Sequence, residues 1–206
     1  MEDLLSVRGL VRRFGDRDVI RDLDLRVGAG GRTALIGPNG SGKTTLLRCI
    51  SGTLTPDAGD VCVAGERAGT LAARTLVGTS LSQDRSFYLR LSGRRNLRFF
   101  AQLRHGRRRD ALRDVAALEE ELELTEIASR RTDACSTGML QQLAFARALL
   151  GGPRVLLLDE PTRSLDEQAT ARMWDALARR PGIAVLIATH QDDDLNRCDS
   201  FIDLSR

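Results

Sequence analysis

"IGPNGSGKTTLLRCISG", residues Ile36–Gly52, decides how the rest of this chain is read. Gly37–Thr44 fits G-x-x-x-x-G-K-[ST], follows the apolar run "RTALI" and opens an amphipathic stretch, which is the context this motif requires. Glycines at 37, 40 and 42 let the backbone curl with its N–H groups pointing inward. Together with the positive end of the helix that follows, they make a cradle for phosphate oxygens. Lys43 is the only lysine among the 31 lysine and arginine residues. A compact ammonium can reach over the loop to β- and γ-phosphates, where arginine's wider planar fork fits less well. Thr44 adds a hydroxyl suited to Mg²⁺.

Outward from this loop, three compact apolar runs end in polar residues: "RTALIG", "RVLLLDE" and "GIAVLIATH". Strands buried on both faces of a parallel sheet read this way, with chemistry at their C-terminal ends. The second run delivers Asp159, a candidate for Mg²⁺, and Glu160, a candidate general base for water. The third delivers His190, a candidate γ-phosphate sensor beside those strand ends.

Further strands are expected at Leu4–Arg8, Asp22–Val27, Val61–Val63 and Thr75–Ser82. Helices are expected over Lys43–Ser51, Arg94–Leu103, Asp110–Leu122, Gly138–Leu150 and Gln168–Arg179. Strands dominate the first 82 residues and helices the stretch 94–150, so a helical subdomain over about 84–150 is expected inside one α/β domain spanning 1–206. The basic cluster "RHGRRR" (104–109) reads as a solvated turn between helices, and the acidic "EEELE" (119–123) as a helix face in water.

Composition sets the outer bounds. The chain is 42% apolar and 29% charged with a formal net charge of +3, ordinary for a globular protein and no ground for a nucleic-acid partner. No apolar run approaches the ~18 residues of a membrane span. "MEDLLSVRGLVRRFG" is too acidic and interrupted for a signal peptide. Cys49, Cys62, Cys135 and Cys198 lack metal-ligand spacing and read as reduced thiols.

In identity, order and spacing these motifs resemble the ATP-binding subunits of ABC transporters over nearly the whole chain. The resemblance implies a P-loop NTPase fold with a RecA-like core, an N-terminal antiparallel β part and the inserted helical subdomain. It implies ATP and Mg²⁺ as ligands, with ATP held by Gly37, Pro38, Asn39, Gly40, Ser41, Gly42, Lys43, Thr44 and Thr45. Phe14, 23 residues before Gly37, falls where the family stacks adenine. Gln83 corresponds to a glutamine that touches Mg²⁺ or water and senses the membrane partner, and "SLD" (164–166) resembles the D-loop.

The family signature LSGGQ appears as "CSTGM", Cys135–Met139, in which Ser136 and Gly138 fit while Cys135, Thr137 and Met139 depart. Such signatures resemble those of exporters, as does "RLSGRRNLRFF" (90–100). The resemblance further implies catalytic roles for Glu160, His190 and Gln83, and metal contacts from Thr44, Gln83 and Asp159. It implies a second ATP-binding subunit, whose ATP Ser136 and Gly138 would face. The remaining expectations are an integral membrane permease as partner and a peripheral place on the cytoplasmic face of the cell membrane. A soluble ABC-type ATPase without a membrane partner is the alternative; a non-hydrolysing nucleotide switch is disfavoured by Gln83, Glu160 and His190. With 16 residues after His190, the chain reads as a near-minimal unit.

Overall fold

The computed structural model describes residues 3–81 and 87–205. Two long antiparallel strands come first, β1 (Asp3–Phe14) and β2 (Arg17–Gly28), joined at Gly15–Asp16. Both run well past their expected limits. Near the hairpin tip the residues are largely half-exposed, so apolar alternation fades while cross-strand pairing continues from Arg12↔Ile20 to Phe14↔Arg17. β3 (Arg32–Ile36) leads through the glycine loop into α1 (Lys43–Ile50). β4 (Ala58–Val63) and the two-residue β5 (Glu66–Arg67) complete an antiparallel sheet of order β2-β1-β4-β5. Thr75, expected in a strand, lies instead in α2 (Leu71–Leu76). Thr70 caps this helix by accepting from Ala73 N at 3.2 Å, and β6 (Val77–Ser80) starts only after it.

Helices α3 (Gly93–His105), α4 (Arg108–Glu121), α5 (Thr125–Ser129) and α6 (Thr137–Leu149) follow. Ser92 and Ser136 start the first and last of these by accepting from Arg95 N and Met139 N. The chain then alternates: β7 (Val155–Asp159), α7 (Glu167–Ala178), β8 (Ala184–Ala188), α8 (Asp192–Leu195) and β9 (Ser200–Asp203). These strands join β6 and β3 in a parallel sheet of order β6-β7-β8-β3-β9.

Strand alternation splits the core into two layers about this sheet. Leu156, Leu158, Val185 and Ile187 pack with the helices α3–α7. Their sequence neighbours Val155, Leu157, Ala184 and Leu186 pack with α1 and the antiparallel sheet. Every residue of β7 and β8 is therefore buried, and all are apolar except Asp159 at the end of β7.

The two charged clusters are less solvated than their composition suggests. Arg104 turns inward and donates to the carbonyls of Arg74, Thr75 and Val77 at 2.7–3.0 Å, tying α3 to the end of α2. Burial pulls its pKa down. Glu119 is buried against Arg94, which donates from Nε at 2.8 and 2.9 Å and lies within 2.7 Å through Nη2. Partners supplied by α2 and α3 overrule the preference of these residues for water.

Candidate functional site

The glycine loop takes shapes that a side chain would obstruct. Gly37 has φ +140°, and a Cβ there would meet Ser41 Oγ at 2.8 Å; Gly42 has φ +105°, and a Cβ there would meet Val19 of the antiparallel sheet at 3.0 Å. Gly42 also stands at the N-cap of α1, where no side chain provides a capping bond. The first N–H groups of α1 lack intrahelical acceptors by geometry and open into the loop's concavity. Within this curl Lys43 Nζ donates to Gly37 O at 2.5 Å and to Pro38 O at 3.1 Å. Pro38, Asn39 and Gly40 are exposed and Thr45 is half-buried. Ser41 Oγ is buried and, among the described residues, without a hydrogen-bond partner.

Thr44, the first residue after Lys43, reaches from α1 to the end of β7: its Oγ1 donates to Asp159 Oδ2 at 2.8 Å. Asp159 is only 4% exposed. A hydroxyl and a carboxylate in contact form a hard, all-oxygen pair of the kind Mg²⁺ uses alongside phosphate oxygens and water. No group of three or more His, Cys, Asp or Glu among the described residues could hold a metal by itself. A cation here would thus be held jointly with a phosphate ligand.

Glu160 follows β7 directly, with φ +50°. Its N–H donates to Ala188 O at 2.8 Å, which joins the ends of β7 and β8. Oε1 is 2.7 Å from His190 Nδ1, while Oε2 is buried without a partner among the described residues. An orphaned carboxylate oxygen beside a phosphate cradle fits a water molecule that must lose a proton.

Other residues of this cluster escaped the sequence reading. Asp194, fully buried, accepts from Thr162 Oγ1 at 2.7 Å and from Thr189 Oγ1 at 2.9 Å, so one carboxylate ties the loops after Glu160 and before His190. Gln141 of α6 donates to Glu160 O at 2.6 Å and to Pro161 O at 2.8 Å. Arg17, cross-strand partner of Phe14, reaches Gly40 O at 3.4 Å and brings the hairpin tip to the loop. The run "HQDDD" is the one signal that could have pointed to Asp194.

The remaining candidates fall in separate places. Phe14 is 49% exposed, with the Arg12 guanidinium 4.6 Å from its ring centroid. Ser136 and Gly138 open α6; Ser136 is exposed, and Gly138 lies against the segment after Glu160, where a Cβ would come within 2.4 Å of Ser164 O. Gln83 lies outside the described residues.

A glycine loop between a buried strand and a helix, joined to carboxylates on a neighbouring parallel strand, defines a phosphate-loop nucleotide-binding protein. The sequence pattern of the ABC transporter family matches residues 20–163, and the chain belongs to that family. It is 36% identical over 98% of its length to the daunorubicin resistance ATP-binding protein DrrA3 of Streptomyces coeruleorubidus. It is 34% identical over 93% of its length to the spermidine/putrescine import ATP-binding protein PotA of Chromobacterium violaceum. The chain spans 66% and 54% of those two relatives. Among solved structures, an ATP-binding subunit of an ABC transporter superposes with a TM-score of 0.89 at 28% identity, covering 98% of this chain and 86% of that one.

Proposed function

We propose that this chain binds and hydrolyses Mg-ATP and thereby powers transport, in the direction of export, through a separate membrane subunit. The observation that carries the reading is the junction of three elements: Thr44 on Asp159, and Glu160 on His190, at the mouth of the glycine loop. Lys43 exchanges the carbonyls of Gly37 and Pro38 for β- and γ-phosphate oxygens as nucleotide enters. Thr44 and Asp159 would hold Mg²⁺, which supplies Lewis-acid stabilisation of the developing phosphate charge. Water attacks the γ-phosphorus in line as the bond to the bridging oxygen breaks, and Glu160 Oε2 takes the proton. His190, held 2.7 Å from Glu160 Oε1 through Nδ1, would orient that carboxylate and face the γ-phosphate with its other ring edge. Phe14 offers the adenine a ring face, and Gln83 is assigned to Mg²⁺ and the attacking water.

Two copies would pair head to tail, each ATP lying between one copy's glycine loop and Ser136 and Gly138 of the other. No helix among the described residues is long and apolar enough to cross a membrane, which fits a peripheral subunit at the cytoplasmic face of the cell membrane. The "CSTGM" signature and the resistance-protein relative support export. Purified chain assayed for Mg-dependent ATP hydrolysis tests the enzymatic claim. Co-purification with membranes only alongside a membrane protein encoded next to it tests the transport claim. Absence of hydrolysis would remove the first, and membrane-independent behaviour the second.

A further inference from the structure

Glu160 holds a left-handed backbone conformation, φ +50°, that side-chain-bearing residues keep only where their surroundings over-determine it. Ala188 O secures its N–H. Its carbonyl is secured from the other side, by a helix remote in sequence. Gln141 Nε2 carries two N–H groups and spans two consecutive carbonyls, Glu160 O at 2.6 Å and Pro161 O at 2.8 Å. Gln141 lies three residues after Gly138, on the same face of α6. On that face Gly138 approaches Ser164 O so closely that a Cβ would sit 2.4 Å from it. The missing side chain at 138 thus allows the approach at which the amide at 141 reaches both carbonyls.

We propose that Gln141 is a positioning residue for hydrolysis: it clamps the backbone at Glu160–Pro161 and so fixes the direction in which the Glu160 carboxylate points. The proposal rests on the reading of Glu160 as the general base. Among the described residues the amide donates to main-chain oxygens, Glu160 O and Pro161 O, so its effect reaches the reaction through Glu160. The two N–H groups of one amide match the two consecutive carbonyls.

Gln141→Met keeps shape and removes both N–H donors; Gln141→Lys restores a donor. Amide hydrogen exchange and steady-state Mg-ATP hydrolysis are measured on the purified full chain and both variants. In Gln141→Met, exchange over 160–165 speeds up about tenfold and kcat falls about tenfold, as the loss of two neutral hydrogen bonds at a rigid site implies. KM stays within about twofold, because the substrate contacts are untouched. Gln141→Lys recovers protection and most of kcat. Unchanged exchange over 160–165 in Gln141→Met overturns the proposal, as does a raised KM at parental kcat. Protection lost equally from β7 and β8 marks general destabilisation and also overturns it. If the parent hydrolyses no ATP, the proposed function fails, and exchange alone then decides whether Gln141 holds Glu160.

Discussion

Lys43 and Glu160 do different things to the same ligand, and their substitutions separate. With Lys43→Ala the cradle loses its ammonium. ATP at about 100 times its dissociation constant should stabilise the parent by about 2.7 kcal/mol, so thermal melts with Mg-ATP shift the parent and barely shift the variant. Equal shifts would take Lys43 out of the phosphate site. Glu160→Gln keeps size and polarity but cannot accept a proton. Its melts should shift like the parent's while turnover falls by about 10²–10⁴; turnover at the parental rate means another group is the base. The thiols give a third prediction at this scale. Burial pushes Cys49 and Cys198 up to about 11 from an ordinary 9.0. At pH 8 the thiolate fraction, and with it alkylation measured by mass spectrometry, should be about a hundredfold lower at these two sites in the folded chain than in urea.

Among elements, the end of α4 is tied to the residues after α7 by Glu121. Arg180 donates to both of its oxygens at 2.6 Å and Arg179 Nε to one at 3.0 Å. The Arg180 bond, against some opposing burial and with help from Arg179, holds the Glu121 carboxyl below its ordinary value of 4.5. A carboxyl depressed in the folded state stabilises the fold above its unfolded value, and that contribution disappears as pH falls through the folded value. Glu121→Gln should therefore cost about 1 kcal/mol at pH 7, with solvent screening at this partly exposed site counted in. The cost should fade in urea melts as pH drops below 4.5. A penalty unchanged at acid pH would assign the effect to packing.

The same scale shows what a sequence can disclose. β3, β7 and β8 were legible because burial on both faces writes an unbroken apolar run, and the glycine loop because its backbone shape demands glycine. α5 and α8, of five and four residues, are too short to show a helical period. β9 carries mostly exposed residues at a sheet edge and writes no apolar run. Gln141 was invisible for a different reason: its partners are main-chain carbonyls, which any residue at 160 and 161 would supply. Arg104 misled for the same reason, since the carbonyls it binds have no letter of their own.

At the scale of the whole molecule, the proposed site is shared between two copies. Gly138 is a poor place to probe it, because any side chain there strikes Ser164 of the same chain. Ser136 is better: it is exposed and caps α6, and aspartate caps as well as serine does. Ser136→Asp should keep the fold and monomer nucleotide binding. Its added carboxylate would meet the opposite copy's γ-phosphate with a repulsion of roughly 4 kcal/mol at about 4 Å and an effective dielectric near 20. In the Glu160→Gln background, light scattering with Mg-ATP should find dimers, and adding Ser136→Asp should abolish them. Dimers that persist would place α6 away from the partner's nucleotide.

Strand order has a consequence for how such a chain comes into being. The glycine loop leaves β3 at residue 36, yet β8, the strand that parts β3 from β7, begins only at Ala184. During synthesis the loop exists for most of the chain's elongation while the strand beside it has yet to be made. Until β8 is made, Thr44 can find Asp159 only in an unfinished sheet, because the strand between β3 and β7 is missing. Pairing across so long a separation is slow and leaves strand edges open meanwhile. The nucleotide cradle, translated long before the carboxylates that complete it, therefore becomes competent only once β8 is in place, and a nascent chain short of β8 keeps strand edges open.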